Sequence, residues 1–138
     1  MRFLGIDLGE RRIGIALSDE DGIIASPLGT VERTGDRAAA REIARLVCER
    51  EVGEIVLGLP LRLDGTEGPA ALGARAFAER LRAQVDRPIH LWDERMTTVL
   101  AERAMIEGGA RREERREKVD RVAAALILQS FLDARPGI

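Results

Sequence analysis

The sequence has no tyrosine, one cysteine, one histidine and only 3% aromatic residues in a chain of 138. So few rings argue against an aromatic platform on which unpaired bases stack, and the core must come from Leu, Ile, Val and Ala. Cys48 alone cannot close an internal disulfide or supply a paired-cysteine zinc site, and it fits a reducing compartment. With no histidine or helix start nearby to lower its pKa, it reads as a small buried hydrophobe. No stretch approaches the ~20 apolar residues of a membrane span, and Asp7 arrives before any leader-like run develops. A cytoplasmic protein with no membrane partner is expected. Charge of one sign is also lacking: the formal net charge of -2 gives no global pull on a polyanion, so any such partner must be met by local basic patches or bound cations.

What is present, 45% hydrophobic and 33% charged residues, is the balance of a globular protein. At this length one domain over residues 1–138 is expected. Arg2 to Leu8 and Ile13 to Ser18 are β-favouring runs separated by the turn Gly9-Glu10-Arg11-Arg12, and Asp19-Glu20-Asp21-Gly22 leads to a third strand from Ile23-Ile24-Ala25 to Thr30-Val31. The pattern then changes period. Asp36 is placed to cap a helix reaching about Glu51, with Ile43, Leu46 and Val47 as its apolar stripe. Ile55-Val56-Leu57 reads as a strand buried on both faces and ended by Gly58-Leu59-Pro60. Beyond the polar loop Arg62–Gly68, Pro69 opens a helix carrying Phe77, Leu81 and Val85. Ile89 to Trp92 is the next strand. Thr97 or Thr98 can cap a helix ending at Gly108-Gly109, and a last helix spans about Val119 to Ala134. Between them, Arg111 to Arg121 holds ten charged residues in eleven and reads as an exposed linker. The order predicts an α/β fold whose five-stranded mixed sheet has three antiparallel strands followed by two parallel ones, flanked by helices.

The chemistry lies in the carboxylates. Asp7 sits inside a strand pattern, a costly place for an acid unless it is paired or metal-bound; Gly5 and Gly9 are read as leaving space beside it for a phosphate or metal. An aspartate capping a turn at the strand end explains this segment equally well. Asp120 shares a helical face with Ala123, Ala124 and Ile127, so it is expected to point inward, and the paired alanines would let the helix approach the sheet; an acid favouring a helix N-terminus is its plainer reading. Asp93-Glu94-Arg95 ends a parallel strand, where sites gather. Neighbouring strand side chains point to opposite faces, so only one of the two acids reaches a common centre. Glu94 is favoured, with Asp93 left to hold Arg95 or cap the next helix, although the choice is not fixed by sequence. Converging acids suit hard cations, and two such ions ~3.5–4 Å apart can neutralise a phosphate and activate water for phosphodiester hydrolysis. Arg11 and Arg12 beside Asp7, and Lys118 before Asp120, are candidate phosphate contacts; Arg95 and Thr97 join them as candidate substrate-binding residues. His90 reads as a packed strand residue.

Four ordered motifs then resemble one family: Gly5-Ile6-Asp7-Leu8-Gly9 with Arg12-Ile13-Gly14, Gly58-Leu59-Pro60 with Asp64-Gly65-Thr66-Glu67-Gly68, Asp93-Glu94-Arg95-Met96-Thr97-Thr98, and Lys118-Val119-Asp120 with Ala123-Ala124. Along nearly its whole length the chain is similar to the YqgF/RuvX family of RNase H-like, RuvC-type nucleases. The resemblance implies an RNase H-like fold, Asp7, Glu94 and Asp120 as metal-binding catalytic acids, and Mg²⁺ or Mn²⁺ as cofactor. It further implies processing of the 5′ end of precursor 16S ribosomal RNA, with a pre-ribosomal particle as partner, or resolution of four-way DNA junctions. A homodimer would suit junction resolution, and a monomer RNA trimming. Arg62-Leu63 departs from the Asn-Met expected in that loop, and Arg121 stands in place of a small residue.

Two rival classes remain. Sugar kinases, actin and heat-shock ATPases also use Gly-Ile-Asp-Leu-Gly, but they close two domains around a nucleotide and this chain is too short for the second. A nucleic-acid-binding factor that has lost catalysis is the other, weakened by the intact Asp7, Glu94 and Asp120.

Overall fold

Strand β1 (Arg2–Leu8) and strand β2 (Arg12–Ser18) pair antiparallel, with Asp7 opposite Gly14 and Ile6 opposite Ile15. The computed structural model describes residues 1–97 and 112–135, with side chains for 1–97 and 121–135. Strand β3 (Ala25–Glu32) continues the meander, helix α1 (Asp36–Glu49) crosses over, and strand β4 (Val52–Leu59) returns parallel to β1. Helix α2 (Pro69–Arg82), strand β5 (Ile89–Asp93), a single 3₁₀ turn at Glu94–Met96 and helix α3 (Arg112–Ala134) complete the chain. The sheet order is β3-β2-β1-β4-β5, with β4 and β5 parallel. This is the expected mixed sheet: three antiparallel strands, then two parallel ones.

Alternation along the strands divides the core in two. Leu4, Ile6, Ile13, Ile15, Ile55 and Leu57 face α1 and α2, where Ile43, Phe77 and Leu81 cover them. Phe3, Ala16 and Val56 face the other way, under Ala123, Ala124, Ile127 and Leu128 of α3. Helix α3 lies so close to β1 that a Cβ at Gly5 would sit 2.7 Å from the Leu128 Cβ and 2.9 Å from the Ala124 carbonyl oxygen. Gly5 therefore makes room for a helix. Sequence reasoning assigns that space to a ligand, which the packing corrects. The alanine pair does bring the helix onto the sheet.

Several local expectations also change. Ile23 and Ile24 stand outside β3 and are exposed, because the Asp19 carboxylate accepts from both of their backbone N–H groups at 2.7 and 2.9 Å and closes a turn with Gly22 at φ +68°. Asp36 is the first residue of α1 rather than its cap: Gly35 occupies the cap, and Arg33 holds the Asp36 carboxylate at 2.8 Å. The helix ends at Glu49, so Cys48 falls on its outer side and is exposed rather than buried. Residues 112–120, expected as a linker, are helical. Glu, Arg and Lys are strong helix formers, and no glycine or proline interrupts the run. The helix expected after Thr98 lies outside the described residues. Among those described, no helix is long and apolar enough to cross a membrane.

Candidate active site

Two of the predicted acids, Asp7 and Glu94, lie at the carboxyl ends of the parallel strands β1 and β5, on the face covered by α3. Asp7 is 3% exposed near the end of β1. Its cross-strand neighbour Gly14 has no side chain. On the other side, the pairing of Ile6 with Leu57 puts Gly58 beside Asp7. Asp7 is thus flanked on both sides by strand residues without side chains, which permits close approach by other groups.

Glu94 fills the space over Gly58. A Cβ at Gly58 would lie 3.2 and 3.3 Å from Glu94 Cγ and Cδ, and 2.8 Å from Ile127 Cδ1. Glu94 is 5% exposed, and its backbone is fastened by Thr97, whose N–H and hydroxyl both donate to the Glu94 carbonyl at 3.1 and 2.7 Å. The adjacent acids part at the 3₁₀ turn. Asp93 turns away, caps the 3₁₀ turn by accepting from the Arg95 N–H at 2.9 Å, and grips the Arg95 guanidinium at 2.8 Å. The Arg95 side chain holds the Asp93 carboxyl below its ordinary value, and Asp93 in turn raises Arg95. Asp93 is thus committed to Arg95 and the 3₁₀ turn, while Glu94 lies buried over Gly58.

Helix α3 runs antiparallel to β1: Phe131 and Arg135 pack on Phe3, while Ala124 and Leu128 pack on Gly5. Two further strand residues span ~6.6 Å, and one further helical turn ~6 Å. The backbone at position 120 is thus directed toward the end of β1 that carries Asp7. The side chains of Asp120 and Lys118 lie outside the described residues, and among those described no three metal-ligating groups cluster. What is described suits a divalent ion: two buried carboxylates, hard oxygen donors, and a glycine-floored space between strands.

The basic candidates take different positions. Arg11 is exposed and Arg12 half-buried in and after the turn that succeeds Asp7. That turn is secured by Arg33, whose guanidinium donates to the Gly9 carbonyl at 2.9 Å and whose N–H donates to the Arg11 carbonyl at 2.8 Å. Arg95 reaches back from Asp93 to the Leu63 carbonyl at 3.2 Å. His90 packs 4.9 Å from the Phe131 ring and bonds Glu54, as a strand residue rather than a base in the acid cluster.

Three residues of this site escape sequence reasoning. Gly58 reads there only as a strand end, although a glycine inside an apolar run signals close approach by another group. Arg33 and Ser130 give no signal, since their contacts are long-range. Ser130 accepts from the Trp92 indole at 3.0 Å and donates to the Met96 carbonyl at 3.0 Å, tying α3 to the turn that carries Glu94.

The chain is similar to known proteins in sequence and in fold. A family model described as "RuvX: Holliday junction resolvase" matches residues 1–134. A Myxococcus xanthus protein is 46% identical over 134 residues, covering 97% of this chain and 89% of its own. One from Pelotomaculum thermopropionicum is 47% identical over 136 residues, covering 98% and 88%. Both bear the name "Putative pre-16S rRNA nuclease". Among solved structures, T. thermophilus RuvC in complex with Holliday junction substrate aligns with a TM-score of 0.58 at 14% identity, over 96% of this chain and 95% of that one. The fowlpox virus Holliday junction resolvase aligns at 0.55 and 10%, over 98% and 100%. These two likenesses are of fold, and the fold is the RNase H-like one.

Proposed function

The chain belongs to the RuvX family, and from that premise we propose that it is a divalent-metal-dependent endonuclease that processes the 5′ end of precursor 16S ribosomal RNA. The observation that carries this reading is the placement of two buried carboxylates about Gly58, Asp7 on the neighbouring strand and Glu94 over the glycine itself. Carboxylate oxygens of this kind are the donors that hard divalent cations take. Asp7 and Glu94, with Asp120 from α3, would hold Mg²⁺ or Mn²⁺. When bound, such ions neutralise charge at the scissile phosphate and lower the pKa of water.

The chain's own residues do the rest. Gly58 makes room for the Glu94 side chain to lie over the sheet next to the strand that carries Asp7. Arg11 and Arg12 lie beside it as contacts for the flanking backbone, and Lys118 is assigned to orient the scissile phosphate. Arg33 fixes the turn after β1, and Ser130 with Thr97 fixes the turn bearing Glu94, so the acids are preorganised before substrate arrives.

Resolution of four-way DNA junctions is the second reading, favoured by the family's description as a Holliday junction resolvase and by the likeness to RuvC. The test incubates purified protein, with Mn²⁺ or Mg²⁺, with precursor 16S rRNA and with a four-way DNA junction, using Asp7→Asn as control. Cleavage of the rRNA precursor by a monomer, abolished in the control, is expected. Paired symmetric cuts in the junction by a homodimer would establish the second reading. Binding without cleavage of either substrate would make the protein a non-catalytic nucleic-acid-binding factor, and cleavage that survives Asp7→Asn would overturn the assigned site.

A further inference from the structure

The loop after β4 presents an apolar side chain to solvent, and Arg95 ties that loop to the turn that carries Glu94. Leu63 is 84% exposed, the highest value among the large hydrophobic residues described, and Met96, two residues beyond Glu94, is 64% exposed. Arg95 lies between them and joins them: its guanidinium holds Asp93 at 2.8 Å and donates to the Leu63 carbonyl at 3.2 Å. The loop is firmly closed. The Arg62 N–H donates to the Thr66 carbonyl at 2.9 Å, the Gly65 N–H donates to the Arg62 carbonyl at 2.8 Å, and Asp64 accepts from Thr66 at 2.9 and 2.6 Å. Gly65 adopts φ +88° with Arg95 packed over it, a conformation in which any side chain would be strained. Leu63 is therefore held out in water by a fixed turn.

We infer that Leu63, with Met96 beside it, is an aliphatic wedge that enters between bases next to the scissile phosphate, and that the Asp93–Arg95 pair is the clasp that positions it. The inference rests on the nuclease reading of the Asp7–Glu94 site. Leucine and methionine serve as wedges because an apolar side chain inserted at a base step replaces stacking with its own burial. A chain with so few exposed rings has no aromatic platform for that purpose. Arg95, with its charge already met by Asp93, acts here through Leu63 as a positioning residue. Unpaired or branched steps unstack at least cost, so the wedge selects a nucleic acid with such a step at the cut over a continuous duplex.

The test uses a short RNA hairpin with a single-stranded 5′ extension and 2-aminopurine where extension meets stem, compared with the same strand in a continuous duplex. Binding is monitored in protein carrying Asp7→Asn, to stop turnover. Fluorescence rises on the hairpin when Leu63 is present, is lost with Leu63→Ser, and returns with Leu63→Met. In otherwise unaltered protein, Leu63→Ser and Arg95→Ala each raise KM for the hairpin about tenfold at nearly constant kcat. The double variant goes little further, because both changes remove the same contact. A fluorescence rise that persists in Leu63→Ser, no rise with Leu63 present, or an unchanged KM in a protein that cuts the hairpin overturns the wedge and leaves the nuclease reading intact. A rise that depends on Leu63 in protein that cuts neither RNA supports the wedge and overturns the nuclease reading instead.

Discussion

Adding one methyl group at position 58 displaces Glu94 without altering any charge. In Gly58→Ala the new Cβ would lie 2.8 Å from Ile127 Cδ1 and 3.2–3.3 Å from the Glu94 Cγ and Cδ. Carbon atoms rest at about 3.5–4.0 Å, so Ile127 must withdraw by roughly 0.7 Å or more and Glu94 by a few tenths. Overpacking of this kind costs about 1–3 kcal/mol. The lower end applies because the nearest atom is the mobile end of an isoleucine, and a loss of about 1 kcal/mol corresponds to a fall in Tm of roughly 3–5 °C. Activity falls further, since a displacement of ~1 Å at a catalytic group can cost ~10²-fold; a few tenths should lower kcat about tenfold. Gly58→Ala combined with Ile127→Val separates the two effects. It removes the clashing methyl and recovers stability, while Glu94 stays displaced and kcat stays low. Melting curves and single-turnover cleavage on the three proteins measure this. Full activity in a destabilised Gly58→Ala, or activity that returns together with stability in the double variant, would refute the placement of Glu94 at the centre.

The same close contacts set other outcomes. Gly5→Ala drives a methyl against the Ala124 carbonyl and Leu128 Cβ, neither of which can swing away; it should cost about 2–3 kcal/mol in denaturant unfolding. Gly29→Ala meets nothing within 4 Å and should be neutral or stabilising by up to about 0.5 kcal/mol. Asp93 titrates below its unfolded value because Arg95 bonds its charged form. Its contribution is therefore complete above the unfolded pKa of about 3.9 and is lost as pH falls through the lower folded value. As a rim ion pair it is worth no more than about 1 kcal/mol, so Asp93→Asn should lower Tm slightly at pH 7, by a gap that closes below about pH 4. Exposed Cys48 should react fully with a maleimide in the native protein; labelling only after unfolding would contradict its position on α1.

How far the sequence reaches depends on the range of the interaction. The strand runs around Asp7 and the crossover helices come from local period, and the sheet adopts the topology they imply. Alternation suggests that Asp93 and Glu94 point apart, but their positions come from the 3₁₀ turn that Asp93 caps and Glu94 begins. Elsewhere a local rule is outweighed. Ile23 and Ile24 have strand propensity, yet the Asp19 carboxylate claims their N–H groups for a turn. The charged run at 112–120 has the charge density of a linker and the backbone propensity of a helix. Gly5 and Gly58 look alike in sequence, each a glycine in an apolar strand; one admits a helix and the other a carboxylate, which only the packing of α3 decides. The Arg33–Gly9, Arg95–Leu63 and Ser130–Met96 bonds join residues 24 to 34 positions apart and leave no local trace.

Central to the proposed function is a cation-binding centre to which Asp7, Glu94 and Asp120 all contribute. Calorimetric titration of the protein with Mn²⁺, without nucleic acid, tests this most directly. The prediction is saturable binding in the native protein, weakened at least tenfold by each of Asp7→Asn, Glu94→Gln and Asp120→Asn, with each variant still folded by circular dichroism. Affinity unchanged in Asp120→Asn, or in Glu94→Gln, would show that the acid concerned takes no part in holding the metal and would contradict the site.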